Sequence, residues 1–220
     1  MSKPVRIFLL SPAHCGGERA NLLFREGADF DLARRVRRPP GVPLGEVFSF
    51  LSGLYFRGKL AYAQAFAVPP AGLTGVYVIT PNEGLRPADE LVDLARLRRF
   101  AQVDIDADDA RYHRPLRRDA RRLAAALGRG DEVVLLGSVA TGKYIDPLTE
   151  AFGDRLRFPG DFVGRGDMSR GGLLLRCVRE GRQLGYRPIG EGARHGKRPP
   201  KLERLPAGRR SGIAPENPPD

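Results

Sequence analysis

The chain is poor in the residues on which several chemistries depend. Two cysteines, Cys15 and Cys177, and three histidines provide no disulfide framework, no C-x-x-C pair and no zinc-ligand spacing. No stretch approaches the roughly 18 consecutive apolar residues that a membrane span requires. The opening MSKPVRIFLLSPAH runs straight into a strand-like segment, without the apolar core and cleavage site of a secretion signal. These absences predict a cytoplasmic protein with no membrane association, no metal and no cofactor. No pattern specifies an oligomeric state.

Positive charge, by contrast, is plentiful. Thirty-seven Lys and Arg against 26 Asp and Glu give a net charge of +11 over 220 residues, with a pI near 10.3. Such an excess suits a phosphate-bearing partner, because each neutralised phosphate releases counterions. It also accompanies an arginine- and alanine-rich composition in general. From Glu191 onward, GARHGKRPPKLERLPAGRRSG and its surroundings are rich in Pro, Gly and Arg and low in apolar residues. That composition predicts a disordered basic tail over 191–220. Residues 1–190 are long enough for one α/β domain with a sizeable core.

Within that domain, strand-like runs alternate with glycine-bearing loops and helical patterns. Val5 to Leu10 and Gly75 to Thr80 read as buried strands, and Arg155 to Phe158 as a short one. Pro81 to Pro87 reads as a loop. Leu44 to Phe66 carries apolar residues at three- and four-residue spacing, a helix broken near Gly53 or Gly58, its aromatics serving mainly as core. Pro115 to Leu127 reads as a helix with proline in its first turn and Arg117, Arg118, Arg121 and Arg122 on its polar side. The expected fold is a single α/β domain whose mixed or mostly parallel sheet, of about four to six strands, is flanked by helices.

The organising stretch is DEVVLLGSVATGKYIDPLTEAFG, Asp131 to Gly153. Val133 to Leu136 forms a buried strand that ends at Gly137, and apolar spacing at Ile145, Leu148 and Phe152 predicts a helix after Lys143. The loop between them lies where open α/β sheets bind ligands. Gly137-x4-Gly142-Lys143 fits most of a P-loop, yet Tyr144 stands where a Ser or Thr hydroxyl would hold magnesium, so ATP hydrolysis is not expected. Asp104, Asp106, Asp108 and Asp109 echo a calcium loop, but Asp109 and Pro115 occupy positions that need Gly and Glu, and a solvated loop is expected. Gly160 to Gly172 (GDFVGRGDMSRGG) is a second glycine-rich loop, carrying Asp161, Arg165, Asp167 and Arg170.

Five segments, in order, resemble motifs of the YaaA family, bacterial proteins linked to peroxide stress and DNA binding. LLSPAH at Leu9 to His14 is similar to its ISPAK, and FLSGLYFRGKLAYA at Phe50 to Ala63 to its F-x-G-x-V-Y-x-G-L-x-A. NEGLRPADEL at Asn82 to Leu91, LLGSVATGKYIDPL at Leu135 to Leu148 and GDMSRGGLLLR at Gly166 to Arg176 resemble three further motifs. The chain departs from them at His14, Gly137 and Lys143. The resemblance implies DNA binding in a stress or repair context. A relation to nucleic-acid-associated domains with a uracil-DNA-glycosylase-like fold implies the alternative, an enzyme on a nucleotide or nucleobase.

The loops after the strands are expected to converge as one polar cleft. Ser11, Tyr55, Arg57, Arg86, Ser138, Thr141, Gly142, Lys143, Tyr144, Arg165 and Arg170 form the expected nucleic-acid or anion-binding set, with Tyr55 or Tyr144 available for base stacking. For the enzymatic alternative, Asp167 and Asp161 supply candidate carboxylates, and His14 and Ser138 candidate substrate-orienting groups.

Overall fold

The computed structural model describes residues 5–139, 142–189, 199, 200 and 202. Its centre is a six-stranded mixed sheet built on three hydrophobic runs. Strand β1 (Arg6–Leu10) lies between β3 (Val76–Thr80) and β6 (Glu132–Leu136), parallel to both, and β7 (Leu156–Pro159) continues the parallel set beside β6. Antiparallel strands β4 (Gly84–Pro87) and β8 (Tyr186–Pro188) close the two edges, giving the order β4-β3-β1-β6-β7-β8. A separate two-residue ribbon pairs β2 (Val42–Pro43) with β5 (Leu91–Val92).

Successive strand side chains point to opposite faces, so a strand covered on both sides must be apolar throughout. In β1, Phe8 and Leu10 join one core layer while Ile7 and Leu9 join the other. The first layer is covered by α3 (Leu44–Ser52), α4 (Leu54–Phe66) and α8 (Asp167–Arg179), with contributions from α1 (Glu18–Phe24), α2 (Asp31–Arg35) and α5 (Leu94–Ala101). The second is covered by α6 (Ala110–Ala126) and α7 (Gly142–Phe152). Tyr112, Leu116, Ala120 and Leu123 bury the inner stripe of α6, and each large side chain among them contributes about 1.5–3 kcal/mol of transfer free energy.

Several boundaries differ from the sequence expectation for identifiable reasons. The long apolar segment breaks at Gly53, whose φ of 65° lies in the region that favours glycine. Gly58 stays inside α4, where a Cβ would lie 2.7 Å from the Gly171 carbonyl oxygen; two glycines thus let α4 and α8 cross closely. The expected loop at Pro81 to Pro87 is in part strand β4, because its backbone pairs with β3. Helix α6 begins five residues before Pro115, since the Asp109 carboxylate caps it by accepting the Arg111 N–H. Helix α8 begins at Asp167, absorbing part of the expected glycine-rich loop.

The expected tail lies almost wholly outside the described residues. Within it, Leu202 packs against the first core layer and the Pro200 carbonyl accepts from Arg165, so this part of 191–220 touches the domain. No helix among the described residues is long and apolar enough to cross a membrane.

Candidate functional site

From β1 the chain passes to β3 on one side of the sheet, whereas β6 lies on the other side of β1 and leads on to β7. The gap between the carboxyl ends of β1 and β6 is therefore a topological switch point, where crossovers leave in opposite directions and open a crevice. Helix α7 starts directly beyond β6. Helix α4 runs antiparallel to β1, because Lys59 reaches Ser11 at the carboxyl end while Val68, just after α4, pairs with Arg6 at the amino end. The first turn of α4 thus also stands at this crevice.

Ser11 is the residue on which both layers converge. From α4, the Lys59 ammonium donates to the Ser11 carbonyl oxygen at 2.7 Å and to Ser11 Oγ at 2.8 Å. From α7, the Tyr144 phenol lies beside the Ser11 hydroxyl and accepts the Ser138 N–H at 3.1 Å. Gly137 permits this proximity, since a Cβ there would lie 2.7 Å from Ser11 Cβ.

Lys59 is only 1% exposed, and its Nζ lies 4.6 Å from the ring centroids of both Tyr55 and Phe56. Two oxygen acceptors and two aromatic faces offset part of the cost of burying an ammonium, and no carboxylate lies within ion-pair distance among the described residues. Burial pushes its pKa down to about 7; the nearby Asp167 carboxylate opposes this and Arg170 reinforces it. Tyr55 is 6% exposed and its hydroxyl has no hydrogen-bond partner among the described residues, while burial holds its pKa above the ordinary value. Burial likewise raises the pKa of Tyr144, with Ser138 and Arg170 acting in the opposite direction.

Above this cluster a cleft of about 500 Å³ is lined by Ser11, Pro12, Ala13, His14, Asp104, Ile105, Asp106, Lys143 and Tyr144. It carries charge of both signs, with the exposed Lys143 sharing its walls with two carboxylates. No group of three His, Cys, Asp or Glu residues is arranged to hold a metal among the described residues.

The structure gathers some of the expected site residues and disperses others. Ser11, His14, Lys143 and Tyr144 share the cleft, with Ser138 and Gly142 on the loop and helix start beside it. Asp167 and Arg170 act electrostatically on Lys59, Tyr55 and Tyr144, so the start of α8 lies near the cluster. Thr141 lies outside the described residues. Arg86 sits on the edge strand β4 beside Glu83, removed from the crevice by β3. Arg57 opens onto a different groove, lined also by Arg19, Phe50 and Met168.

Three of the expected roles are corrected by local bonding. Arg170 spends its guanidinium on the Phe162 carbonyl and on Asp167, and Arg165 bonds the Asp161 and Pro200 carbonyls, so both fasten loops. Neither Tyr55 nor Tyr144 is available for base stacking: they are 6% and 7% exposed, and the Tyr55 ring already packs edge-on against Phe162. Asp161 acts electrostatically on Cys177 and Arg182 and is not among the residues that line the cleft.

Lys59, beneath the cleft, and Asp104 and Asp106, in its lining, are charged residues of this site that the sequence expectation omits. For Lys59 a signal existed. It falls four residues after Tyr55, three after Phe56 and three before Tyr62, on the apolar stripe of α4, where a lysine must be buried. No match to this chain was found among protein-family models, curated proteins or solved structures.

Proposed function

We propose that this chain binds DNA across the outward face of α6, and that the cleft at the β1–β6 crevice is a separate ligand-binding centre. The observation that carries the first part is the density of exposed arginine. Arg111, Arg114, Arg117, Arg118, Arg121 and Arg122 are all exposed along α6, and a groove of about 470 Å³ runs between Arg114, Arg117, Arg118 and Arg121 beside His113. Nearby carboxylates offset only part of this charge: Asp109 pairs with Arg111, Asp119 with Arg118, and Glu150 with Arg117 and Arg121. Exposed pairs of this kind are weak and exchange readily for phosphate contacts. Resemblance of the ordered motifs to YaaA proteins supports the same partner and a stress or repair setting.

Gel-shift titration at several salt concentrations tests this. Log affinity is expected to fall with log salt by about 0.9 per neutralised phosphate of duplex DNA. The double variant Arg114→Glu/Arg118→Glu is expected to abolish the shift while unfolding as the parent does. A parent that shows no binding at low salt, or a double variant that binds equally well, rejects DNA binding on α6.

A second function, catalysis on a nucleotide or nucleobase derivative, is supported by the cleft itself. Its mixed charge suits a small polar ligand better than a phosphate backbone, and a buried amine with a depressed pKa is a recurrent feature of active sites.

A further inference from the structure

Three polar groups at the crevice form an arrangement that packing alone does not require. A lysine fully buried on an apolar stripe costs stability, and a hydrophobic residue of the same volume would fill the space. Instead its Nζ is directed at a serine hydroxyl 2.8 Å away, and that serine lines an open cleft together with a tyrosine whose phenol lies beside it. A nucleophile in hydrogen-bond contact with a base, and a third group within reach of the same reacting atom, is the geometry of acyl transfer.

We propose that Ser11, Lys59 and Tyr144 form a nucleophile, base and acid set that hydrolyses an ester or amide of a small polar compound bound in this cleft. Asp104 and Asp106 on one wall and Lys143 on another favour a substrate that bears an amine and is joined to a polar or nucleotide-like leaving group. The proposal deepens the catalytic function of the cleft and does not depend on DNA binding by α6.

The steps balance without any redox partner. Neutral Lys59 takes the Ser11 Oγ proton as Oγ attacks the acyl carbon; a C–O bond forms and the carbonyl π pair moves to oxygen. Tyr144 Oη already accepts the Ser138 N–H, so its own proton is free to point at the substrate. The tetrahedral adduct collapses, and the leaving group departs with that proton, leaving an acyl-Ser11 ester, the Lys59 ammonium and the Tyr144 phenolate. Water then attacks the ester carbon and gives a proton to the phenolate. The Ser11 oxygen leaves with the proton held by Lys59, which restores all three groups and releases a carboxylic acid.

The charged groups around the base come from neighbouring elements. Asp167 and Arg170 of α8 act on Lys59 with opposite sign, and its remaining close neighbours, Tyr55, Phe56 and Ser11, are neutral. Its ionisation is therefore set chiefly by burial.

A fluorophosphonate probe with peptide mapping by mass spectrometry, together with hydrolysis of glycine p-nitrophenyl ester and glycine ethyl ester, tests the set. Ser11 is expected to be the labelled serine, with a labelling rate that rises with pH and levels off above about 7 as Lys59 loses its proton. Lys59→Met is expected to slow labelling by about 100-fold or more. Tyr144→Phe is expected to keep a single burst of p-nitrophenolate, whose departure needs no proton, but to lose turnover of both esters, because the acyl-Ser11 ester then lacks the group that takes the proton of water. If Lys59→Met does not fold, the parent's pH profile and the loss of labelling in Ser11→Ala decide the matter. No labelling of the folded parent at pH 8.5, labelling that persists in Ser11→Ala, or a pH-independent rate overturns the proposal. A gel shift retained in Ser11→Ala shows whether DNA binding stands apart from it.

Discussion

Replacing Lys59 by methionine keeps an unbranched side chain of similar length on the apolar stripe of α4 and removes the amine beneath Ser11. In the unfolded chain this lysine titrates near 10.5, whereas burial pushes it down to about 7 in the fold. Between those values the unfolded chain holds a proton that the folded chain has released, so the lysine makes stability rise with pH across this window. Below pH 7 both states are protonated and the whole cost of burying the charge is present; above 10.5 both are neutral and it vanishes. At about 1.4 kcal/mol per pKa unit, the full cost is on the order of 5 kcal/mol, of which about 2–3 kcal/mol disappears between pH 6 and pH 9. Against this, the variant leaves the Ser11 carbonyl without its donor, a loss of about 1–3 kcal/mol that does not vary with pH.

The quantity to measure is thus the difference in unfolding free energy between parent and variant, by urea titration at pH 6, 7.5 and 9. Groups common to both chains cancel in it. The parent is expected to gain about 2–3 kcal/mol on the variant from pH 6 to pH 9. A difference that stays flat within about 0.5 kcal/mol would refute the reasoning and show that the fold stabilises the ammonium, with Asp167 the group in position to do so.

Other expectations follow from contacts elsewhere. Gly58→Ala places a Cβ 2.7 Å from the Gly171 carbonyl oxygen, where the neighbour is backbone and cannot swing away, so a loss of about 1–3 kcal/mol is expected in thermal unfolding; an unchanged melting temperature would mean that the two helices separate at no cost. Lys143→Ala is expected to change stability by less than about 0.5 kcal/mol, because its side chain is exposed, and neither parent nor variant should hydrolyse ATP with magnesium. Phosphate release from the parent that Lys143→Ala abolishes would contradict this. Truncation after Ile189 is expected to leave a cooperatively unfolding domain that lacks the Leu202 contact on the first core layer, at a cost of up to about 1.5 kcal/mol for a half-buried leucine; loss of cooperativity would show that the later segment is integral to the core.

Much of the architecture was legible because it rests on local patterns. Uninterrupted apolar runs at Val133 to Leu136 and within Val5 to Leu10 read as buried strands, and the spacing from Pro115 to Leu127 as a one-sided helix; the structure has β6, β1 and α6 there. A glycine within each loop that follows β1 and β6 marked the crevice loops, and Ser11, Lys143 and Tyr144 line one cleft there. Strand β4 was not legible, since GLRP has no strand pattern of its own and is fixed by pairing with β3. Nor was the division of the arginines into those that fasten loops, such as Arg165 and Arg170, and those left exposed along α6, because a guanidinium's partners are set by which carbonyls the fold brings near it. The meeting of Lys59 with Ser11, 48 residues apart, depended on the close crossing of α4 with α8 and the end of β1 beneath it. Sequence determined which side chains would be buried; only the packing of the two layers decided that one of them would be an amine directed at a hydroxyl.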